Sequence, residues 1–176
     1  ALAEVIFGDY NPGGKLPVTF YESTKDLPDF LDYSMENRTY RYFRGVPQYA
    51  FGYGLSYTTF EVGKGKISKK SMKTDGSVKI TVPVENTGDR EGTETIQVYV
   101  KALDYAEAPI KSLKGFKKIN LKAGEKGKVE IVLDGESFQY YDPSIDELST
   151  RTGRYQILYG TSSLEKDLKS IDFVVK

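Results

Sequence analysis

From about Thr58 onward, apolar and polar residues alternate with period two. Val78, Ile80, Val82 and Val84 alternate with Lys79, Thr81, Pro83 and Glu85, which predicts a strand with one face in a core. Pro83 lies on the outward set and cannot donate to a ladder, so it points to an edge strand or a bulge. The run Asn86 to Gly92 is turn chemistry. After it Ile96, Val98 and Val100 alternate with Thr95, Gln97, Tyr99 and Lys101, a second strand with the latter set outward. Further strands are predicted near 59–67, 112–121, 126–133, 138–141, 153–160 and 168–175. About seven or eight short, turn-bounded strands make an antiparallel sandwich.

Before Thr58 the pattern differs. Residues 1–7 read as the last turns of an amphipathic helix, Gly8 stops it, and Asn11-Pro12-Gly13-Gly14 is a dense turn. Leu16 to Phe20 reads as a short strand. From Tyr21 to Tyr49 no periodicity persists, and Pro28 and Pro47 interrupt the chain, which gives an ordered, extended connector. The division is therefore 1–20, 21–57 and 58–176. A chain that opens inside a helix reads as cut from a longer protein, so the lack of a leader is silent on export.

The connector is crowded with Tyr33, Tyr40, Tyr42, Phe43, Tyr49, Phe51, Tyr53, Tyr57 and Phe60, interleaved with Arg38, Arg41 and Arg44. Disordered linkers are poor in aromatics. Burial against a neighbouring domain, with arginines stacking on rings or bonding carbonyls, accounts for them better. Isolated, such a segment either moves or packs on its own sandwich or on another copy, and exposed patches beyond a few hundred Å² promote self-association.

Composition narrows the chemistry. Lysine plus arginine and aspartate plus glutamate are 25 each, leaving no net field to concentrate nucleic acid or an anionic membrane. No apolar run of about 18 residues is present. Histidine, cysteine and tryptophan are absent, which removes disulfides, thiolates, the commonest general base and cysteine-ligated zinc. The sandwich therefore lacks antibody-type pins, and a type III fibronectin-like fold, which needs none, fits better.

Ala1 to Phe20, Arg38-Thr39-Tyr40-Arg41-Tyr42-Phe43, Phe51-Gly52-Tyr53-Gly54-Leu55-Ser56-Tyr57-Thr58-Thr59-Phe60, Val84 to Gly92, Gln97-Val98-Tyr99, Leu113-Lys114-Gly115-Phe116 and Gly160-Thr161-Ser162-Ser163 occur in the order found in one enzyme family. The chain resembles the C-terminal part of family 3 glycoside hydrolases, exo-acting β-glucosidases and β-xylosidases that retain anomeric configuration. The resemblance implies the end of an α/β sandwich domain, then a connector, then a fibronectin type III-like domain. It implies a nucleophile and an acid/base upstream of Ala1, hence no catalytic, cofactor or metal residue here. It also implies an exported parent, periplasmic or extracellular.

Each candidate for chemistry meets a plainer reading. A retaining glycosidase needs two carboxyls roughly 5 to 5.5 Å apart, but Glu91, Glu94, Asp142, Asp146 and Glu147 read as solvated surface. The cluster 142–147 lacks the glycine and ligand spacing of a calcium loop. Gly52 and Gly54 lack the third glycine and the strand-to-helix frame of a phosphate loop, and serve backbone bending. Lys64, Lys66, Lys69, Lys70 and Lys73 read as solubilising an edge strand. Asn37-Arg38-Thr39 matches the N-glycosylation pattern, a short motif. Ser56, Ser162 and Ser163 have no histidine to deprotonate them. Outward Tyr99 and Tyr105 are the candidates for touching a polymer.

The leading expectation is a non-catalytic structural module that braces upstream catalytic domains. An accessory polysaccharide- or cell-wall-binding domain and a free-standing adhesion or scaffold module are the competing readings.

Overall fold

The computed structural model describes residues 2–176; Ala1, which the sequence places in the first helix, lies outside the described residues. The chain starts with α1 (Leu2–Phe7), followed by β1 (Phe20–Tyr21), α2 (Thr39–Tyr42) and β2 (Pro47–Tyr49). The sandwich comprises β3 (Phe60–Val62), β4 (Lys66–Ile67), β5 (Ser71–Met72), β6 (Ser77–Asn86), β7 (Gly92–Ala102), β8 (Ser112–Leu121), β9 (Lys126–Asp134), β10 (Gln139–Asp142), β11 (Glu147–Thr150), β12 (Gly153–Gly160) and β13 (Leu168–Val175). One sheet runs β5-β13-β12-β7-β8; in the other, β6 has β9 on one side and β3 and β4 on the other. The long pairings are antiparallel. Only the short β5, pairing through Val174 with Ser71 and Val175 with Met72, joins β13 in parallel.

The alternation builds the core as it predicts. Val78, Ile80, Val82 and Val84 of β6 face Ile96, Val98 and Val100 of β7, with Leu133, Phe138, Tyr155, Ile157 and Phe173 filling the layer between them. Phe138 lies edge-on to Tyr155 and stacks on Phe173, both at 5.3 Å, geometries that suit ring quadrupoles. Tyr159 crosses the sandwich, its hydroxyl oxygen accepting the Gly65 N–H at 2.7 Å.

Several expectations are corrected. Pro83 lies on a central strand. Its carbonyl accepts the Gly63 N–H, so the side of the strand on which its own N–H is missing faces the interruption between β3 and β4, where no ladder bond is forfeited. The strand expected over 59–67 is split by that interruption, around Gly63 and Gly65. Leu16 to Phe20 is no strand. Leu16 exchanges backbone bonds with Gly52 and Tyr53 and Phe20 pairs with Tyr49, while Pro17 between them has no donor to continue a ladder. The turn-like run 142–147 closes a hairpin, β10 with β11, that the polar sequence conceals.

The largest correction concerns β7. Thr95, Gln97 and Tyr99, assigned to an outward face, are all buried, because the connector covers that face.

Candidate functional interface

The connector is fastened to β7 at successive points. Tyr40 stacks on Phe51 at 4.3 Å and meets Tyr99 edge-on at 5.8 Å, and its hydroxyl accepts the Leu113 N–H at 2.9 Å. Gln97 lies beneath, donating to the carbonyls of Gly52 (3.1 Å) and Thr161 (2.6 Å) while its oxygen accepts the Tyr99 hydroxyl at 2.5 Å. Backbone bonds Ile110 N–H to Arg41 O and Ser163 N–H to Phe51 O close the seam. Burial pushes the Tyr99 and Tyr40 phenols up from their ordinary value, which keeps both neutral, Tyr99 as the donor to Gln97.

Gly52 is required here twice over. Its φ is +81°, and a Cβ on it would run into the Gln97 side-chain amide. A Cβ on Gly54 would meet the Gly14 carbonyl. Both glycines serve close approach of backbone, consistent with bending rather than phosphate binding.

A second cluster fixes the turn after α1. Asn11 Oδ1 accepts from the Ser56 hydroxyl (3.0 Å) and the Tyr57 N–H (2.8 Å), and its amide donates to Glu91 O at 3.0 Å. Tyr57 donates to Val5 O at 2.8 Å. Lys15 and Glu94 form a 2.7 Å ion pair, so Glu94 is a buried anchor and not solvated surface. Its carboxylate also accepts the Thr95 N–H at 2.6 Å.

Other candidates fall elsewhere. Asp142 is buried, accepting from Ser144 N–H and Oγ at 3.0 and 2.6 Å; these bonds, ahead of nearby Arg151, hold its carboxyl below the usual range. Asp146 accepts from the Tyr141 hydroxyl, Glu147 is exposed, and Glu91 accepts from Asn120. Among the described residues no group of three or more acidic side chains is placed to hold a metal ion. Ser162 and Ser163 are buried, and Ser162 donates to Asp167 at 2.6 Å. Tyr99 is fully buried and touches no solvent, which removes it as a polymer contact. Tyr105 is half-buried, with the Arg151 guanidinium 4.1 Å above its ring and its hydroxyl donating to Thr152 O. The five lysines between Lys64 and Lys73 are exposed along β4 and β5, and Asn37 is exposed.

Two hubs escape a reading by periodicity, Asn11 and Asn86. Asn86 lies fully buried at the end of β6. Each opens an Asn-x-Gly run that reads as a plain turn. The signal lies in the glycine two residues on: a Cβ on Gly13 would come within 2.8 Å of Thr93 O, and one on Gly88 would collide with the Thr58 hydroxyl.

Residues 2–57 also carry large apolar side chains that nothing in the structure covers. Leu2, Ile6, Phe7, Phe30, Leu31, Tyr33, Val46 and Leu55 are exposed, Phe30 at 90% and Tyr33 at 88%. Beside them an open apolar hollow of about 690 Å³ is lined by Pro12, Leu16, Phe20, Tyr49, Tyr53 and Leu55. Residues 2–57 are thus bonded to the sandwich at several points while many of their large apolar side chains stay exposed.

Comparison with known proteins identifies both parts of the chain. Residues 1–57 match the glycosyl hydrolase family 3 C-terminal domain, and residues 94–163 match the fibronectin type III-like domain. The chain belongs to glycoside hydrolase family 3. It is 51% identical to a xylan 1,4-beta-xylosidase of Xylanibacter ruminicola over 97% of its length, and 39% identical to a periplasmic beta-glucosidase of Salmonella typhimurium over 93%. The family 3 chain covers 20% and 23% of those two proteins. A family 3 beta-glucosidase from Bifidobacterium adolescentis superposes with a TM-score of 0.86 at 32% identity, over 99% of this chain and 27% of that one. The mainly β, fibronectin type III-like architecture is thus that of the family's C-terminal part.

Proposed function

We propose that this chain is the non-catalytic C-terminal module of a retaining, exo-acting β-glycosidase that hydrolyses β-glucosides or β-xylosides. In this reading residues 1–20 complete an α/β sandwich domain, 21–57 connect, and 58–176 form the module that braces the catalytic domains. The observation that carries it is the segment 2–57, anchored to the sandwich through Gln97, Tyr99 and Glu94 yet leaving large apolar side chains uncovered. A face with Phe30, Leu31 and Tyr33 in water fits a surface made to be covered by another domain. The nucleophile and acid/base then belong upstream, and the parent is exported.

The test is turnover of aryl β-glucoside and β-xyloside by this chain beside the longer protein it completes. The longer protein is expected to hydrolyse at least one, and the chain neither. Turnover by the chain at a rate comparable to the longer protein overturns the reading.

A further inference from the structure

Lys111 is 7% exposed, yet its ammonium has no hydrogen bond or ion pair among the described residues. Its stem is buried, while the ammonium opens into the space of the two hollows that it lines. It lies where two hollows adjoin. The larger, about 520 Å³, lies between the connector and the sandwich; the smaller, about 190 Å³, lies against β12 and β13. Arg44 and Lys166 also line the larger hollow and Lys101 the smaller, while Glu165 is the only carboxylate lining either. Glu165 favours the ammonium through its field but stands beyond ion-pair range, and burial pulls Lys111 below the usual lysine value. Four cations thus converge against one acid.

The larger hollow exceeds what a bare anion needs and falls in the range of small-ligand sites. Its wall combines Tyr40, Phe43 and Pro47 with Thr19, whose hydroxyl is buried without a partner. A sugar ring offers apolar C–H faces to such rings, and hydroxyls that both donate and accept. A guanidinium at the rim, Arg44, suits the planar fork of a carboxylate.

We propose that the paired hollows bind a carboxylate-bearing sugar of monosaccharide size, its carboxylate set against Lys111 and its ring against the connector wall. This goes beyond a bracing role and does not depend on it. The site is read on the chain itself, so its failure leaves the proposed function standing.

The experiment titrates the chain with D-glucuronate, D-glucose and acetate while following backbone amide signals by NMR. Glucuronate is expected to shift Arg44, Ser163 and Lys166 saturably, with a Kd on the order of 1 mM, and glucose and acetate at least tenfold more weakly. Lys111→Met should weaken glucuronate tenfold or more, with Lys111→Arg retaining it. The exposed pair Arg44→Gln and Lys166→Gln should weaken it severalfold even if Lys111→Met disturbs the fold. No saturable shift, equal response to acetate, or unchanged binding in both the Lys111→Met and rim variants each overturns the proposal.

Discussion

The side-chain amide of Asn86 satisfies its bonding capacity inside the protein. Its oxygen accepts the Thr58 hydroxyl at 2.7 Å and the Gly88 N–H at 3.1 Å; its nitrogen donates to Arg90 O at 2.7 Å and Leu121 O at 3.0 Å. Asn86→Ala strands partners from three segments at a fully buried position. Buried unsatisfied groups cost about 1–3 kcal/mol each, so a loss of roughly 2–4 kcal/mol is expected in urea denaturation. Asn86→Asp is no rescue, because a carboxylate oxygen would face two carbonyls. Gly52 behaves differently. Gly52→Ala forces a side chain into positive φ and into Gln97, a strain of about 1–3 kcal/mol before the clash, but the connector can relieve it by undocking. The readout is therefore faster amide exchange at Gly52 and Ser163, with core amides of β6 and β12 unchanged.

At the level of elements, β7 shows what periodicity encodes and what it does not. Its Ile96, Val98 and Val100 face the core as alternation predicts, yet Thr95, Gln97 and Tyr99 are buried too. Gln97 there meets the backbone carbonyls of Gly52 and Thr161 and Tyr99 meets Gln97 rather than water, and a pattern two residues long cannot tell a wet face from one covered by another segment. The long strands β6, β9, β12 and β13 are legible because each carries many ladder bonds behind one clear period. Phe20–Tyr21, Ser71–Met72 and Glu147–Thr150 were not, since pieces of two to four residues exist only through their partners. At the candidate site the aromatic clustering and the two glycines were readable. The Lys15–Glu94 pair was not, because it joins residues far apart in sequence. Removing residues 1–57 uncovers Tyr99, which Tyr40 covers, and takes away the Gly52 carbonyl that the Gln97 amide bonds. That truncation is expected to lower stability and raise self-association, measured by urea denaturation and sedimentation.

For the whole molecule, the large upward shifts fall on buried tyrosines. No histidine is present, and burial, the leading cause, raises Tyr99, Tyr140 and Tyr155 above the ordinary phenol value, the last to about 12. A folded-state value above the unfolded one means that stability is fully present below pH 10 and is lost as pH rises through about 12. Lys111 and Lys114 shift downward by burial and act in the opposite sense, with the three tyrosines outweighing them. Urea midpoints should therefore fall steeply above about pH 10, coincident with tyrosinate absorbance. The exposed face makes a separate prediction. Phe30, Leu31 and Tyr33 rest on no core, so replacing all three with serine should reduce concentration-dependent association in sedimentation while moving stability by less than about 0.5 kcal/mol.

The position of β13 bears on how the protein is made. It lies inside its sheet, hydrogen-bonded to β12 along its length and clasped by Ser71 and Met72 on the other side. During synthesis every other strand of the sandwich emerges first, and β12 meanwhile presents an open edge to whatever is nearby. The five-stranded sheet can close only once residues 168–175 have cleared the ribosome. Crowded polysomes, rather than the finished protein, are where this sandwich is most exposed to pairing with the wrong strand.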